Sequence, residues 1–228
     1  MRTVETMTIF CIISKIKSGK DSYLRGVFKD TEFTKRFMLK PFKYGTTRKY
    51  HMESNALDYY TVSEEEAKNI PQEELLEMRS YYTLTEGTVH YFTKYDDIYD
   101  KSGNYLCISS PYQYEQYKEW MELENLKIGH ERYRLFMIYI DASIESRMQR
   151  IANEKYSEDD LCEVCRRIIQ DRNDFKSVSK SLSELANYKN HENVCYVQNE
   201  YDFGENFDYE ANLFVIKRFI MDHCKCPL

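Results

Sequence analysis

The stretch TIFCIISKIKSGKDS at residues 8–22 decides the fold of this chain. Its apolar part, from Ile9 to Ile13, predicts a buried parallel strand, and a helix is expected from about Asp21. The small polar turn Ser18-Gly19-Lys20 lies between them. A strand, a turn with Gly-Lys and a helix form a phosphate-binding P-loop, in which turn N–H groups and the helix N-terminus face the anion. The segment therefore predicts a nucleotide-phosphate site.

Two positions of this loop depart from the pattern Gly-x4-Gly-Lys-Ser/Thr. Ser14 stands where the first glycine is expected, and Asp21 stands where a hydroxyl is expected. The lysine that reaches the outer phosphates is present as Lys20. The loop alone is a partial match, and features farther along the chain must decide its function.

The composition favours one globular domain with a substantial core. A chain of 228 residues is long enough to bury a large apolar interior. Only seven glycines and four prolines are present, which argues against a loop-rich all-β fold or a disordered chain. The 21 tyrosines are spread along the chain, so we expect them to serve packing.

Net charge, hydropathy and cysteines limit the expected partners and location. A formal net charge of −6 argues against a broad nucleic-acid surface, because proteins with such a surface are usually basic. No segment approaches the ~20 apolar residues of a membrane helix, and the N-terminus lacks a signal-peptide core. The seven cysteines are odd in number and scattered, as is typical of a reducing compartment. We therefore expect a cytoplasmic protein without membrane or nucleic-acid partners, and the sequence leaves its oligomeric state open.

Strand-like and helix-like segments alternate along the chain. The predicted strands are Ile9–Ile13, Tyr105–Ile108, Leu135–Ile140 and Val194–Val197. The predicted helices are Tyr112–Leu126, Ser143–Ala152, Glu158–Phe175 and Tyr209–His223. This order predicts an α/β fold with a parallel sheet covered on both faces. Ligands then bind beyond the carboxyl ends of the strands, where the turn after Ile13 lies.

Two segments interrupt this alternation. Phe42–Asn104 is rich in tyrosine and polar residues, with a short helix expected near Ser63–Asn69 and a strand at Val89–Thr93. We interpret it as a lobe inserted into the α/β core. Asn153–Asp160 is short and charged and lies between two arginine-bearing helices, so it is a candidate for a mobile lid.

Arginines at the edge of the predicted core are candidates for phosphate contacts. Phosphoryl transfer requires positioned cations and exclusion of water rather than covalent help from the protein. Arg147 and Arg150 share one face of a helix by their i,i+3 spacing, and Arg166, Arg167 and Arg172 follow across the candidate lid. The alternative is a pair of solvated basic helix faces with acidic partners.

Two further groups of residues admit both a structural and a chemical interpretation. Thr46-Thr47-Arg48 follows a turn-like Lys43-Tyr44-Gly45, and two hydroxyls with a guanidinium suit phosphate recognition. Cys162 and Cys165 could join the tail cysteines Cys224 and Cys226 in a zinc site. Ordinary reduced thiols are the default for these cysteines, because the first pair is expected inside a charged helix and the spacing of the tail pair is not usual for a zinc site.

In order and spacing, these fragments resemble the guanylate kinase family of nucleoside monophosphate kinases. The most specific element is Thr46-Thr47-Arg48, followed about eleven residues later by Asp58-Tyr59-Tyr60-Thr61-Val62-Ser63. The likeness also rests on the loop at 14–22, Glu77, Tyr91-Phe92-Thr93, the strand Leu135–Asp141 and the arginines at 147, 150, 166 and 167. It covers roughly residues 8–175.

The resemblance implies a P-loop NTPase-like three-layer core and one guanylate-kinase-like domain over residues 1–228. The core is expected at 1–42 and 105–228, a lobe that binds the nucleoside monophosphate (NMP) at 43–104, and the lid at about 152–165. The implied reaction is ATP-dependent phosphorylation of GMP or dGMP with Mg²⁺. The residues implied to bind ATP are Ser18, Gly19, Lys20, Asp21 and Ser22. Those implied to bind the NMP are Arg48 and Tyr59, which would grip its phosphate with Tyr91 beside them. Glu77 and Thr93 are implied to read the guanine edge. Lys20, Arg150 and Arg167 (or Arg166) are implied to act on the transferring phosphoryl group.

The chain also departs from the family's pattern around the metal and the acceptor phosphate. The family's second phosphate-binding arginine is replaced by Tyr50 and His51. Its two aspartates after the middle strand are replaced by Ser109 and Ser110. Asp21 is therefore the candidate magnesium ligand, directly or through water. Two other interpretations stay open: a non-catalytic module that binds a phosphorylated partner, and a P-loop kinase of another small metabolite.

Overall fold

The computed structural model of the protein describes residues 6–49, 59–98, 102–187, 192–200 and 209–224. Its strands are β1 (Met7–Ile13), β2 (Leu39–Pro41), β3 (Tyr44–Thr46), β4 (Tyr59–Thr61), β5 (Leu75–Thr83), β6 (Gly87–Lys94), β7 (Gly103–Ser109), β8 (Tyr133–Asp141) and β9 (Val194–Gln198). Its helices are α1 (Lys20–Lys29), α2 (Thr31–Arg36), α3 (Glu64–Lys68), α4 (Tyr95–Ile98), α5 (Pro111–Ile128), α6 (Ile144–Asn153), α7 (Glu158–Asn187) and α8 (Tyr209–His223).

Strand β1 is the central strand of a five-stranded sheet with the order β2-β7-β1-β8-β9. Every neighbouring pair in this sheet is parallel. All five carboxyl ends therefore meet at one edge, and the loop after Ile13 lies at that edge together with Ser109 and Asp141. This is the edge at which open α/β sheets bind ligands.

Helices cover both faces of this sheet. Alternate side chains of a strand point to opposite faces. The odd-numbered residues of β1, from Met7 to Ile13, pack in a cluster with α5. The even-numbered Phe10 and Ile12 pack with α1 and α8. Because β1 is apolar at every position, both of its faces are buried. The structure therefore confirms the predicted α/β fold with a P-loop NTPase-like core.

A second sheet of four strands, in the order β4-β3-β6-β5, stands beside the cavity described below. Strands β5 and β6 form a hairpin, and β3 pairs antiparallel with β6. The prediction of a turn at Lys43-Tyr44-Gly45 is wrong, because Tyr44–Thr46 is a strand. Only glycine fits at position 45 of this strand, because a Cβ there would come within 2.1 Å of the Phe92 ring. The short helix α3 begins after Ser63, whose hydroxyl and the carboxylate of Glu66 form a capping box.

The C-terminal part of the chain completes the core. Strand β9 pairs with β8, and α8 buries Leu213, Ile216 and Ile220 against the sheet. The segment beyond residue 175, which the motifs did not explain, thus contributes the last strand and the last helix. Over the described ranges, no helix has both the length and the apolar character that crossing a membrane requires.

Candidate functional site

The loop between β1 and α1 has the backbone geometry of a turn that exposes N–H groups at a helix start. Gly19 is the N-cap of α1 and has a left-handed φ of 95°. Lys17 also has a positive φ, of 62°. A side chain at Gly19 would be strained, and its Cβ would come within 2.6 Å of the Asn199 amide nitrogen. Lys20 is consequently fixed as the first residue of α1.

Two side chains from distant elements hold this loop in place. The amide of Asn199 donates to the carbonyl of Ser18 at 2.8 Å and accepts from the hydroxyl of Tyr23 at 3.0 Å. The guanidinium of Arg150 donates to the carbonyl of Lys17 at 2.9 Å and to the carbonyl of Asn199 at 2.8 Å. Arg150 therefore contacts the loop backbone. Sequence reasoning missed Asn199, although a polar residue directly after a buried strand was a usable signal.

The other residues expected to bind ATP lie around this turn. Ser18 is buried, and its hydroxyl oxygen has no hydrogen-bond partner. Ser22 is exposed on α1, and its carbonyl accepts from Tyr209 at 3.0 Å. Lys20 lies 3.7 Å from the carboxylate of Asp21.

Several charges surround Lys20. Burial opposes ionisation of Asp21, but the positive charges of Lys20, Arg167 and Arg25 outweigh it, so the pKa of Asp21 is lowered. Asp171 of α7 accepts the backbone N–H of Ile16 at 2.6 Å. Burial raises the pKa of Asp171, even though this N–H and the nearby cations favour its ionised form.

The predicted arginines of α6 and α7 have different surroundings. Arg147 is buried, its Nη1 lies 3.7 Å from Asp171, and neither its Nε nor its Nη1 makes a hydrogen bond. Arg166 forms two 2.8 Å bonds with Glu163. Glu163 also accepts from the backbone N–H of Leu84, at 3.3 Å, in the turn between β5 and β6. Helix α7 is thereby linked to the second sheet.

Arg48 lies two residues after β3, just beyond the end of this strand of the second sheet. Its Nε donates to Glu86 at 3.1 Å, and its Nη1 donates to the hydroxyl of Tyr91 at 3.4 Å. Burial would lower the pKa of Arg48, but Tyr91 and Glu86 outweigh burial and raise it. The hydroxyl of Thr46 accepts the backbone N–H of Arg48, so the Thr-Thr-Arg segment fixes its own backbone.

Tyrosine rings form the wall next to Arg48. The ring of Tyr59 lies 4.6 Å from that of Tyr44 and 5.6 Å from that of Tyr91. Tyr44 donates to the carbonyl of Ile108 at 2.6 Å, and its hydroxyl lies 3.1 Å from the hydroxyl of Tyr59. These contacts tie the second sheet to the end of β7 in the core.

Glu77 and Thr93 belong to a buried polar network. The Thr93 hydroxyl donates to one carboxylate oxygen of Glu77 at 2.9 Å, and the amide of Gln113 donates to the same oxygen at 3.2 Å. Arg79 donates to the second carboxylate oxygen of Glu77 at 3.2 Å. The side chain of Glu77 is 0% exposed, and burial raises its pKa despite Arg79. Burial would lower the pKa of Arg79, but Glu77 and nearby tyrosines raise it above its usual range.

One cavity brings these elements together. Six of the predicted residues line it: Lys20, Arg48, Tyr59, Tyr91, Arg166 and Arg167. Seven of the predicted residues do not line it: Ser18, Gly19, Asp21, Ser22, Glu77, Thr93 and Arg150. Residues that sequence reasoning did not assign to a site also line it, among them Arg79, Tyr81, Ser110, Asp171 and Asp174. The cavity therefore extends from the P-loop to the second sheet, with α7 as one wall.

Asp21 is a carboxylate that lies next to Lys20 at the start of α1. Mg²⁺ is usually held by one or two carboxylates together with substrate phosphates. Asp21 lies beside Lys20 and fits such a role. In the described part of the chain, no group of three or more His, Cys, Asp or Glu residues could hold a metal. The residues thus fit an ion held mainly by a nucleotide. They do not fit a resident metal centre.

Some expectations fall outside the described residues. These are the roles of Tyr50, His51 and Asp58 and the position of Cys226. Cys162 and Cys165 are exposed free cysteines on α7.

Comparison with known proteins supports the fold and no finer assignment. No protein-family model matches the sequence, and no curated protein matches it. Among solved structures, the chain is similar to the guanylate kinase from Anaplasma phagocytophilum, with a TM-score of 0.51 and 14% sequence identity. The match covers 98% of this chain and 89% of that one. At this identity the likeness shows the fold alone, and the chain has a guanylate-kinase-like fold.

Proposed function

We propose that this protein is an ATP-dependent nucleoside monophosphate kinase. The observation that carries the proposal is that a single cavity is lined by Lys20 of the P-loop, by Arg167 of α7 and by Arg48 of the second sheet. Three cations on three elements suit two phosphate-bearing substrates that meet end to end. Phosphoryl transfer depends on such positioned charges.

Each cation has a distinct place in the proposed reaction. Lys20 and the loop N–H groups hold the outer phosphates of ATP, as in other P-loops. Arg48, supported by Glu86 and Tyr91, holds the phosphate of the acceptor. An acceptor phosphate oxygen attacks the γ-phosphorus, and the bond to the bridging oxygen of ADP breaks. Arg167 stabilises the charge that spreads over the transferring group.

Asp21 is proposed as the protein's contact with magnesium, directly or through water. The ion would neutralise charge on the phosphates of the nucleotide. Arg150 acts on the loop itself, because it binds the Lys17 and Asn199 carbonyls. It supports Lys20 by keeping the loop in shape.

GMP or dGMP is the acceptor that the family resemblance implies. That implication rests on Glu77 and Thr93 as readers of the base. Both side chains are enclosed in the network with Arg79 and Gln113.

A coupled assay of ADP release over all ribo- and deoxyribonucleoside monophosphates, with Mg²⁺ or Mn²⁺, tests the proposal. We expect turnover with at least one acceptor and its loss in Lys20→Ala. Lys29→Ala, an exposed lysine at the other end of α1, is the matched control. An absence of turnover with every acceptor, from folded protein, would reject the kinase.

One observation favours a second candidate, a non-catalytic module that binds a phosphorylated partner. The carboxylate of Asp171 accepts a P-loop N–H that a nucleotide phosphate would otherwise use. Calorimetric titration with Mg-ATP separates the two candidates. Binding that is lost in Lys20→Ala supports the kinase. Absence of ATP binding, together with a phosphopeptide affinity that Lys20→Ala leaves unchanged, supports the module.

A further inference from the structure

We propose that Arg147 of α6 is a further phosphate-binding residue of this site, and that the carboxylate of Asp171 holds the place that an outer phosphate of the nucleotide takes when it binds. This inference rests on the proposed kinase function, and it adds a residue to the binding of the triphosphate. The contact between Arg147 and Asp171 is the one that the nucleotide replaces.

The first observation is that Arg147 is a buried cation whose donors are not used. Its side chain is 8% exposed, and its Nε and Nη1 make no hydrogen bond to any described residue. A guanidinium buried in this way is costly, because it has given up its contacts with water without gaining hydrogen bonds in return. Buried arginines are ordinarily paired with an anion. The unused donors therefore point to an anionic group that no described side chain provides at hydrogen-bond distance.

The second observation is that the carboxylate facing Arg147 is bound elsewhere. A single oxygen of Asp171 lies 2.6 Å from the backbone nitrogen of Ile16 and 3.7 Å from Nη1 of Arg147. Charge-assisted N–H···O bonds to an anion are about 2.7–2.9 Å long. This oxygen is therefore hydrogen-bonded to Ile16, and Arg147 has only an electrostatic attraction to it.

The third observation is that Asp171 stands where a phosphate group is expected. Ile16 belongs to the loop between β1 and α1, and the N–H groups of such loops bind phosphate. Lys20 and Arg167 lie near enough to Asp171 to favour its ionised form. Asp171 and these three residues line the cavity, whereas Arg147 does not. The carboxylate is thus surrounded by a loop donor and by cations that suit an outer phosphate, and Arg147 meets it from outside the cavity.

A phosphate group suits this position better than a carboxylate does. It carries about two negative charges and three acceptor oxygens, against one charge and two oxygens for Asp171. Its oxygens can accept the N–H of Ile16 and the unused hydrogens of Arg147 at the same time. The nucleotide then displaces the side chain of Asp171, and the native chain binds ATP more weakly because this displacement opposes binding.

A purely structural role for Arg147 is the competing explanation. In that case Arg147 serves only as the counter-charge of Asp171 and never contacts the nucleotide. The two explanations differ once residue 171 is neutral. A counter-charge has no function left in Asp171→Asn, whereas a phosphate-binding residue keeps its function there.

The test is a set of variants titrated by calorimetry with Mg-ATP and, separately, with inorganic tripolyphosphate. In the Asp171→Asn background, we expect Arg147→Met to weaken the binding of both probes at least about tenfold, because methionine fills the apolar space but has no donors. Arg172→Met, at an exposed position of α7, removes the same charge in the same background and is expected to change either affinity by less than about twofold. Equal affinities with and without Arg147 overturn the inference. So does a folded Asp171→Asn protein that binds neither probe, or that binds them more weakly than the native protein does.

A spectroscopic measurement checks the contact itself and does not require the double variant to fold. The side-chain Nε–H resonances of isotope-labelled Asp171→Asn are recorded by NMR with and without tripolyphosphate. The resonance of Arg147 is identified by its absence in Arg147→Lys. A shift of this resonance that saturates at the calorimetric Kd supports the inference. An unmoved resonance overturns it, even where Arg147→Met has lowered the affinity, because loss of a charge without contact explains such a result.

Failure of this inference is distinguishable from failure of the proposed function. Absence of turnover with every monophosphate rejects the kinase, but tripolyphosphate has neither a base nor an acceptor and still tests Arg147. Conversely, an active kinase whose Asp171→Asn form binds Mg-ATP equally well with and without Arg147 keeps the proposed function and rejects this inference.

Discussion

The carboxylate of Asp171 lies 2.6 Å from the backbone nitrogen of Ile16 and accepts its hydrogen bond. The two residues are 155 positions apart in sequence. An anionic side chain of α7 thus occupies a donor of the phosphate loop. It lies among the cations Arg147, Lys20 and Arg167. This contact links the long helix to the loop and places a carboxylate beside Lys20.

Asp171→Asn is expected to tighten ATP binding by about tenfold, which corresponds to about 1.4 kcal/mol. The amide keeps an acceptor for the N–H of Ile16 and removes a negative charge beside Lys20. Calorimetric titration with Mg-ATP measures the effect, and the exposed Glu119→Gln on α5 is the control. Weaker binding in Asp171→Asn would indicate that the carboxylate assists the nucleotide.

The pH dependence of stability is expected to differ between Asp171→Asn and the native protein. Burial raises the pKa of Asp171 in the folded state, so the unfolded state binds fewer protons in the window between the two pKa values. The native protein therefore loses stability as the pH rises through this window. Thermal unfolding from acid to neutral pH should show the variant gaining on the native protein as the pH increases. A constant difference in melting temperature would contradict the assignment.

Arg150 and Arg167 are expected to respond differently to replacement by alanine. Arg150→Ala removes two bonds to backbone carbonyls and should cost about 1–3 kcal/mol in the free energy of unfolding. Arg167→Ala should leave stability within about 0.5 kcal/mol and lower kcat by about 10²–10³-fold. Denaturant unfolding and the ADP-release assay measure the two quantities. An equal loss of stability in both variants would contradict the assignment of a supporting role to Arg150 and a catalytic role to Arg167.

Asn199→Ala is expected to weaken ATP binding without any contact to the cavity. The change removes the bond to the Ser18 carbonyl and leaves the hydroxyl of Tyr23 without this acceptor. We expect a loss of about 1–3 kcal/mol in stability and a higher Kd for ATP. Asn199→Asp keeps the acceptor but loses the donor. Asn199→Asp should therefore be less stable than the native protein and have a higher Kd for ATP, because a carboxylate would face the Ser18 carbonyl.

Gly19→Ala is expected to abolish ATP binding while the protein stays folded. Its φ of 95° is unfavourable for alanine, and the new Cβ would meet the Asn199 amide. The loop must shift to relieve both strains, which displaces Lys20. Calorimetry and thermal unfolding compare the two effects, and Gly87→Ala on the hairpin serves as a control for a positive φ in open space. Native ATP affinity in Gly19→Ala would show that the loop tolerates the shift.

The strands and helices of the core were predictable because their signals are local. An apolar run such as Ile9–Ile13 can be buried on both faces only in a covered parallel sheet, and its periodicity is visible without partners. The second sheet was harder to predict. Strand β5 mixes apolar residues with Glu77, Arg79 and Ser80, so its pattern does not alternate cleanly. Its pairing with β6, and the packing of Phe92 over Gly45, are long-range events.

The roles of individual charged residues could not be assigned in the same way. Spacing placed Arg147 and Arg150 on one helix face, but their partners come from α7, the P-loop and the residue after β9. Likewise, Glu77 has the residue type of a base-reading acid, yet Arg79 covers it two positions later. The direction in which a side chain points depends on the neighbours that fold against it.

By itself, the sequence determined the α/β core with its strand, turn and helix around Gly19-Lys20, and it predicted phosphate contacts at Lys20 and Arg48. Apolar periodicity and turn chemistry act over a few residues and are written directly in the chain. Only the tertiary structure decided that Lys20, Arg48 and Arg167 share a cavity, that Arg150 supports the loop, and that Arg79 stands before Glu77. The physical reason is that charge pairing and burial are set by residues far apart in sequence, which meet only after the two sheets and α7 have packed together.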